Sequence, residues 1–374
     1  MSNIAVISGT GVWNPPNVLT NVELVENYNR YAQHFNAENA QQIEAGKVEA
    51  KPLSSAEFIK KASGINQRYI YIKDGVSDIN RMKPRIPQRS DDELSHQAEF
   101  AVKAAKIAMR EAKKTAQDID AVIVSCAYTE RSYPAIAIEV QAELGIDGFG
   151  FDMLVACSAA TFAMQRAYEM VNSGTAKCVL VINPELTSPQ VNYRDRDSHF
   201  IFGDVSTAAI IEMSSTANAE HVYEILGTKA VTQYSSNIRS NFGYVSHAKD
   251  DDPFSDDNLF HQSGRAVFKE VCPMAAKHIK THLEECGFVP DDLKRWWLHQ
   301  ANINMNILIS KRLLGRDASA EEAPIVLDEY ANCASAGSII AFSKYNKDLT
   351  TGDIGVICSF GAGYSIGSLV IRKQ

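Results

Sequence analysis

The stretch Phe151-Asp-Met-Leu-Val-Ala-Cys157-Ser-Ala-Ala-Thr-Phe162 changes character at its cysteine. An apolar run that predicts a buried strand stops there, and small residues that begin a predicted helix follow. A thiol at this point lies at a helix N-terminus, where unpaired backbone N–H groups and the helix dipole favour an anion. We therefore predict that the pKa of Cys157 is lowered and that this residue is a nucleophile.

Apolar runs rich in β-branched residues recur along the chain and predict buried strands. They cover residues 4–8, 121–126, 178–183, 208–212, 354–359 and 368–372. Helical stretches lie between several of them, at residues 98–112, 161–173, 266–286 and 303–314. Strands that alternate with helices indicate an α/β protein. Residues 27–55 and 74–93 are polar and fit neither pattern, so we expect them to be insertions into the core fold.

The segments after Cys157 and after Asn332 share the same order of elements, namely a helix, a glycine and a strand. Gly174 and Gly352 come after the last helical turn of the two copies, where glycine is a C-cap signal. This internal repeat predicts two related halves with pseudo-twofold symmetry. Such symmetry would place Cys157 and Asn332 at equivalent positions near one shared centre.

His299 ends the run Arg295-Trp-Trp-Leu-His299 and precedes a predicted helix. Residues at the carboxyl end of a strand line the clefts of α/β folds. The sequence therefore predicts that Cys157, His299 and Asn332 form one acyl-transfer site.

A cysteine, a histidine and an asparagine can serve two kinds of chemistry. Their order along the chain is that of a papain-like protease, but the Cys-Gly-[Ser/Ala]-Cys-[Trp/Tyr] signature of such enzymes is missing. The other chemistry is carbon–carbon bond formation on thioesters, in which the cysteine accepts an acyl group. Histidine and asparagine then donate hydrogen bonds to a thioester carbonyl as it becomes an enolate. Neutral donors suit this task, because decarboxylation of a malonyl group needs no base.

Composition and charge exclude several other classes of protein. The chain has 374 residues, of which 45% are hydrophobic, and its net charge of −8 provides no global basic surface for nucleic acid. Its seven cysteines show no Cys-x-x-Cys pair and no metal-ligand spacing, and their scatter suggests a reducing compartment. No apolar run reaches membrane-spanning length. We expect a cytoplasmic enzyme without a metal, and without nucleic acid or a membrane as partner.

Short motifs occur in a fixed order over nearly the whole chain. They are Gly9-Thr-Gly11, Ser63-Gly-Ile65 with Arg68, Ala156-Cys157-Ser-Ala, Phe202-Gly-Asp204, His299-Gln-Ala-Asn302, Asn332-Cys-Ala-Ser-Ala and Phe360-Gly-Ala-Gly363. Together they resemble the β-ketoacyl-acyl-carrier-protein synthase III family of the thiolase superfamily. The resemblance implies a homodimer and a five-layered αβαβα fold. The fold would consist of thiolase-like halves at residues 1–217 and 218–374, with insertions near 27–55 and 74–93.

The resemblance also implies a decarboxylating Claisen condensation that initiates fatty-acid biosynthesis. An acyl-CoA primer would acylate Cys157, and malonyl-acyl carrier protein would extend it to a β-ketoacyl-acyl carrier protein. His299 and Asn332 would stabilise the enolate, and the backbone N–H groups of Cys157 and Ala362 would form an oxyanion hole. Coenzyme A thioester is implied as a substrate, and no cofactor is implied.

Several substrate contacts implied by the resemblance are altered in this chain. Phe58 stands where the family often has a tryptophan that stacks on the adenine of coenzyme A, and Ala62 replaces a second contact, an arginine. Tyr133 matches a residue that reaches across the dimer into the acyl tunnel of the partner. Asn304 replaces an arginine that binds the carrier protein, and Lys311 on the same predicted helix is a candidate for the missing charge.

The long segment at residues 27–55 resembles an elongated subgroup that makes products such as β-ketodecanoyl-acyl carrier protein from medium-chain acyl-CoA. Two alternative functions stay open. Another superfamily branch, such as an HMG-CoA-synthase-like or long-chain Claisen enzyme, typically needs a carboxylate base, for which Glu130 is the nearest candidate by sequence. A non-catalytic partner subunit that sets chain length would commonly lack the nucleophile, which this chain has.

Overall fold

The computed structural model describes residues 4–252 and 255–374. Residues 1–3 and 253–254 lie outside these ranges. The former belong to the predicted N-terminal half and the latter to the predicted C-terminal half. The strands are β1 (Ala5–Trp13), β2 (Asn17–Thr20), β3 (Gln67–Ile70), β4 (Ala121–Cys126), β5 (Phe149–Leu154), β6 (Cys178–Glu185), β7 (Val205–Met213), β8 (Tyr223–Ser235), β9 (Ile238–Arg239), β10 (His261–Gln262), β11 (Leu293–Leu298), β12 (Ile354–Gly361) and β13 (Gly363–Lys373). The α-helices are α1 (Asn21–Glu38), α2 (Ala40–Glu44), α3 (Ala56–Ser63), α4 (His96–Ala112), α5 (Ile136–Leu144), α6 (Ala159–Ser173), α7 (Tyr244–His247), α8 (Gly264–Glu285), α9 (Ile303–Leu314), α10 (Leu327–Tyr330) and α11 (Gly337–Lys344).

A nine-stranded sheet runs through the molecule in the order β11-β12-β13-β8-β1-β7-β6-β4-β5. The portion β4-β6-β7-β1 repeats the order and the strand directions of β11-β12-β13-β8, with one parallel pair followed by two antiparallel pairs in each. The two portions meet through only two residue pairs between β1 and β8. We propose that the two halves divide at residue 217, in the connection between β7 and β8.

Three buried apolar clusters separate five layers. Helices α6 and α11 lie between the two portions of the sheet, α4 and α5 cover the outer face of one portion, and α8 and α9 cover the outer face of the other. Successive side chains of a strand point to opposite faces, so Val179 and Val181 of β6 join the central cluster while Leu180 and Ile182 join an outer one. The arrangement confirms the predicted αβαβα fold.

Most of the predicted elements form, and two strands differ from expectation. Strand β4 and helix α9 begin and end where predicted, and the other predicted strands are longer. Strand β5 was predicted to be buried but is the last strand at one edge of the sheet, with Phe149 and Leu154 exposed. Strand β8 was not predicted, because its second half is exposed and lacks an apolar pattern.

The predicted insertions contain different amounts of regular structure. The first one, residues 27–55, begins inside α1, whose N-cap residue is Thr20. The end of this segment is held to α1 by Asn29. The side-chain Nδ2 of Asn29 donates to the carbonyl of Ser54 (3.0 Å), and its Oδ1 accepts from the backbone N–H of Ser54 (2.8 Å). Residues 74–93 contain neither a helix nor a strand. The first segment is therefore part of a packed unit rather than a loose addition.

Candidate active site

A cavity of about 300 Å³ is lined by Cys157, His299 and Asn332 together. The rest of its wall is mainly apolar and includes Phe58, Phe200, Ile201, Phe202, Ile238, Phe260, Val267, Phe268, Val271, Met305 and Phe360. The structure therefore brings the three predicted side chains, which are distant in sequence, to one apolar enclosure.

Cys157 lies in a single 3₁₀ turn, Ala156–Ser158, directly before α6. Ala156 has a φ of +45°, a left-handed conformation that is uncommon for a residue with a side chain. The predicted lowering of the thiol pKa is wrong for this structure. Burial, and after it the charge of Glu185, raise the pKa of Cys157 to about 12, because removing water from the thiolate outweighs the favourable helix end.

The backbone of Ala362 and of Cys157 itself forms hydrogen bonds to the sulfur, and these hydrogen bonds oppose the rise of its pKa. They come from the two positions predicted for the oxyanion hole. Their approach depends on Gly361, where an added Cβ atom would lie only 2.4 Å from the Cβ atom of Cys157. Glycine at this position therefore lets the backbone reach the thiol. The binding of an oxyanion by these groups stays a prediction.

His299 directly follows β11, and its backbone N–H donates to the carbonyl oxygen of Cys358 on β12 (2.8 Å). The ring of Phe360 packs edge-on against the imidazole, with centroids 5.1 Å apart. Burial lowers the pKa of His299 to about 3, so the imidazole is neutral at physiological pH. Its Nδ1 has no hydrogen-bond partner among the described residues. A neutral imidazole held by packing retains one N–H that can be donated to a ligand.

Asn332 is fixed by its backbone and by one side-chain atom. Its N–H donates to the carbonyl of Ile201 (2.9 Å), and its own carbonyl accepts from the N–H of Gly203 (3.1 Å). The side-chain oxygen Oδ1 accepts from the N–H of Ala334 (3.0 Å). Because the amide oxygen is engaged in this way, the Nδ2 group is left to donate into the cavity. Asn332 and His299 are both arranged as neutral donors.

The internal repeat has a different register from the one predicted. Two pairs of residues match in conformation, each with a left-handed φ. They are Ala156 with Ala334 (+45° and +44°) and Gly174 with Gly352 (+77° and +96°). The same number of residues separates the members of both pairs, which aligns Cys157 with Ser335 and not with Asn332. The predicted equivalence of Cys157 and Asn332 is therefore wrong, because Asn332 precedes the repeated turn, although both side chains reach one cavity.

Phe58 lines the cavity, and a cation that sequence reasoning missed covers its ring. The guanidinium of Arg196 lies 3.9 Å from the ring centroid of Phe58, and Phe200 packs edge-on against the same ring. Arg196 donates through Nε to the carbonyl of Leu53 (2.9 Å), and its Nη1 lies 3.4 Å from the carboxylate of Asp197. Nothing local in the sequence distinguishes Arg196 from an ordinary surface cation.

The segment at residues 27–55 packs against the loop that carries Arg196. Tyr28 stacks on His199 with ring centroids 4.9 Å apart, and the guanidinium of Arg194 lies 5.6 Å from the ring centroid of Tyr31. With the hydrogen bond from Arg196, these contacts hold the loop beside the cavity. The segment therefore supports a loop that forms part of the cavity wall.

The other predicted substrate contacts lie farther from the triad. Asn304 is exposed in the first turn of α9, next to the cavity residue Met305. Lys311 lies in the last turn of that helix, about 10 Å along the axis at 1.5 Å per residue, and forms an ion pair with Asp317 (3.2 Å). Tyr133 is 77% exposed and lies outside the cavity wall of the described chain. Substrate binding by these residues stays a prediction.

Glu130, the candidate base of the alternative enzymes, is engaged elsewhere. Its carboxylate accepts hydrogen bonds from the backbone N–H groups of His96 (3.2 Å) and Gln97 (2.7 Å) at the start of α4. It lies outside the cavity wall formed by the described residues. This position is that of a residue that stabilises a helix N-terminus.

The described residues, 4–252 and 255–374, contain neither a cluster of metal ligands nor a membrane-spanning helix. They include no group of three or more His, Cys, Asp or Glu side chains that could hold a metal ion. Their helices are all too short or too polar to cross a membrane. All seven cysteines are free.

Comparison with known proteins agrees with the geometry. The family model for 3-oxoacyl-[acyl-carrier-protein (ACP)] synthase III matches residues 151–232, and the model for the C-terminal part of that family matches residues 283–373. A β-ketodecanoyl-[acyl-carrier-protein] synthase of Pseudomonas aeruginosa is 51% identical over 350 residues, which is 94% of this chain and 100% of the relative.

Two solved structures share the fold. The crystal structure of 3-oxoacyl-[acyl-carrier-protein] synthase III from Aquifex aeolicus superposes with a TM-score of 0.76 at 24% identity, covering 98% of this chain and 99% of that one. The priming β-ketosynthase of a polyketide biosynthetic pathway superposes with a TM-score of 0.78 at 20% identity, covering 99% and 96% of the two chains.

Proposed function

Since the chain belongs to the 3-oxoacyl-[acyl-carrier-protein] synthase III family, we propose that it condenses an acyl-CoA primer with malonyl-acyl carrier protein. The reaction is a decarboxylating Claisen condensation that initiates fatty-acid biosynthesis, and the chain is an acyltransferase. One observation carries the proposal. A thiol and two neutral side-chain donors line the same apolar cavity.

In the first half-reaction, Sγ of Cys157 attacks the carbonyl carbon of the primer thioester. The carbon–sulfur bond to coenzyme A breaks, and the thiol proton passes to the departing thiolate. The backbone N–H groups of Cys157 and Ala362 stabilise the negative charge that develops on the carbonyl oxygen. Because burial raises the pKa of the free thiol, proton transfer that accompanies the attack is favoured over attack by a preformed thiolate.

In the second half-reaction, the malonyl thioester loses carbon dioxide and the electron pair of the broken bond forms an enolate. His299 and Asn332 donate hydrogen bonds to the enolate oxygen. The enolate carbon attacks the acyl carbonyl and expels the thiolate of Cys157, which regains a proton from solvent. No base removes a proton from carbon, which agrees with a neutral His299 and with an Asn332 whose amide oxygen is already engaged.

The primer is proposed to be of medium length. The relative from Pseudomonas aeruginosa is named for a β-ketodecanoyl product, whose acyl chain has ten carbons. Malonyl supplies two of them after decarboxylation, so the primer of that product is an octanoyl group. The 51% identity and the apolar wall of the cavity support the same class of primer here.

Acylation by a graded series of primers tests both the activity and the primer length. The protein is incubated with acetyl-, butanoyl-, octanoyl- and dodecanoyl-CoA, and the intact chain and its peptides are weighed by mass spectrometry. We expect octanoyl-CoA to acylate fastest, on the peptide that contains Cys157. Fastest acylation by acetyl-CoA would refute the medium-chain primer, and an adduct on a different peptide would refute the site.

A homodimer is proposed as the working form. Strand β5 ends the sheet and exposes Phe149 and Leu154, which offers an edge to a second copy. Tyr133 is exposed as well, as expected of a side chain that completes the acyl tunnel of a partner subunit. The cytoplasmic location expected from the scattered cysteines stays a prediction.

Arg196 and Phe58 are proposed to bind the nucleotide end of coenzyme A, because they place a cation and an aromatic ring beside the cavity. We expect Arg196→Ala to raise KM for octanoyl-CoA about tenfold and to leave kcat within about twofold, because the variant loses one charge-assisted hydrogen bond to the substrate. Steady-state kinetics measure both values. Arg194→Ala is the matched control, because that guanidinium contacts Tyr31 instead, and an equal rise of KM in both variants would contradict the assignment.

The structure gives the alternative functions less support. The other superfamily branches typically need a carboxylate base near the nucleophile, whereas Glu130 is engaged at the start of α4. A partner subunit without catalysis is disfavoured, because the nucleophile and both donors are present and line one cavity.

A further inference from the structure

A buried carboxyl that neither half-reaction uses lies close to the active-site turns. Glu185 is the last residue of β6 and is 1% exposed. Its Oε1 accepts hydrogen bonds from the N–H (3.2 Å) and from the hydroxyl of Ser335, and its Oε2 accepts from the N–H of Ala127 (3.1 Å). Glu185 thus ties the turn after Asn332 to the end of β4.

The repeat relates the turn that binds Glu185 to the turn that carries the nucleophile. Ser335 occupies in the C-terminal half the position that Cys157 occupies in the N-terminal half. The two 3₁₀ turns, Ala156–Ser158 and Ala334–Ala336, contact each other, and the second also contacts β6. The hydroxyl that binds Glu185 therefore belongs to a turn that contacts the turn of Cys157. The charge of Glu185 is, after burial, the main cause of the raised pKa of Cys157.

Only neutral donors hold this carboxyl. Among the described residues, no lysine or arginine forms an ion pair with Glu185, and burial raises its pKa to about 7 against the effect of its hydrogen bonds. The other titratable groups affected by its charge are Cys157, Cys126, Tyr128 and Cys333. Burial raises the pKa of each above its ordinary range, so they stay protonated near neutral pH. Of these five groups, only Glu185 changes its charge there.

We propose that Glu185 is a positioning residue that fixes the Asn332 turn against the Cys157 turn and controls, through its charge, the reactivity of Cys157. While the carboxyl is ionised it disfavours the thiolate, and while it is protonated this effect is absent. The inference rests on the proposed function only in taking Cys157 as the nucleophile. Its test uses no acyl substrate, so it can fail or succeed independently of the proposed condensation.

The test is the rate at which iodoacetamide alkylates Cys157 from about pH 5 to about pH 9, with the modified peptide identified by mass. A thiol with one fixed pKa reacts about tenfold faster for each pH unit below that pKa. We expect the wild-type rate to rise less steeply near pH 7, where Glu185 gains its charge, and to resume its slope above. His299 does not titrate in this range, since its pKa is about 3. A uniform slope through neutral pH would overturn the proposal.

Two variants separate charge from packing. In Glu185→Gln, the alkylation rate of Cys157 is expected to rise with a uniform slope. The rate should match that of the wild type near pH 5 and exceed it about tenfold above pH 8, because one nearby charge changes the pKa of the thiol by about one unit. Ser335→Ala keeps the charge of Glu185 but removes a donor that stabilises the carboxylate. The pKa of Glu185 should therefore rise, and the flattened region of the rate profile should move to higher pH. If Ser335→Ala also reacted with a uniform slope, packing would be the cause and the role of the charge would be refuted. The wild-type profile decides alone if Glu185→Gln does not fold.

Discussion

Replacement of Cys157 by alanine is expected to abolish acyl transfer. Among the described residues that line the cavity, Cys157 provides the only thiol, and without it no acyl-cysteine intermediate can form. We expect the condensation rate to fall at least about a thousandfold, as is typical when a nucleophile is removed. Intact-protein mass spectrometry after incubation with octanoyl-CoA should show no adduct. Decarboxylation of a malonyl thioester should persist, because His299 and Asn332 are unchanged.

Cys333→Ala is the matched control for this variant. Cys333 is next to Asn332, but its thiol is buried and donates to the carbonyl of Tyr330 (3.2 Å). We expect the control to acylate like the wild type. Acylation of Cys157→Ala at any other cysteine would show that the nucleophile had been assigned to the wrong residue.

His299→Ala and Asn332→Ala are expected to accept the acyl group but to lose decarboxylation. Each variant removes one of the two donors to the enolate oxygen, and loss of one such donor typically lowers a rate about a hundred- to a thousandfold. Carbon dioxide release from a malonyl thioester measures this step, and the mass of the intact chain measures acylation. If His299→Ala failed to acylate and decarboxylated normally, the roles assigned here would be reversed.

The pH dependence of decarboxylation provides a second check on His299. Because burial lowers its pKa from 6.5 to about 3, the imidazole stays neutral as pH falls through 6.5 and gains a proton only near pH 3. We expect carbon dioxide release at a saturating malonyl thioester concentration to change little between about pH 8 and about pH 5.5. A loss with an apparent pKa near 6.5 that persists in the Glu185→Gln variant would mean that the active histidine is solvated, in contrast to this structure.

Local patterns predicted much of the fold because they depend on neighbours in sequence. Strand β4 and helix α9 are marked by an apolar run and by helical periodicity, and both begin and end where predicted. Strand β5 has a similar apolar run, yet it is an edge strand, because burial depends on which strand pairs with it. Strand β8 has no such run in its exposed half, and it forms because β13 pairs with it.

The features of the candidate site also divide into those that local sequence predicts and those that depend on the fold. Sequence patterns alone identify the thiol that begins a helix after a strand, and the histidine and asparagine that could accompany it, because these signals are local or belong to recognisable motifs. The pKa of Cys157, the equivalence of Cys157 and Ser335 in the repeat, and the placement of Arg196 over Phe58 become visible only in the folded chain. Desolvation, electrostatic interaction and ring contact all depend on atoms that are near in space but far apart in the chain, so no local pattern contains them.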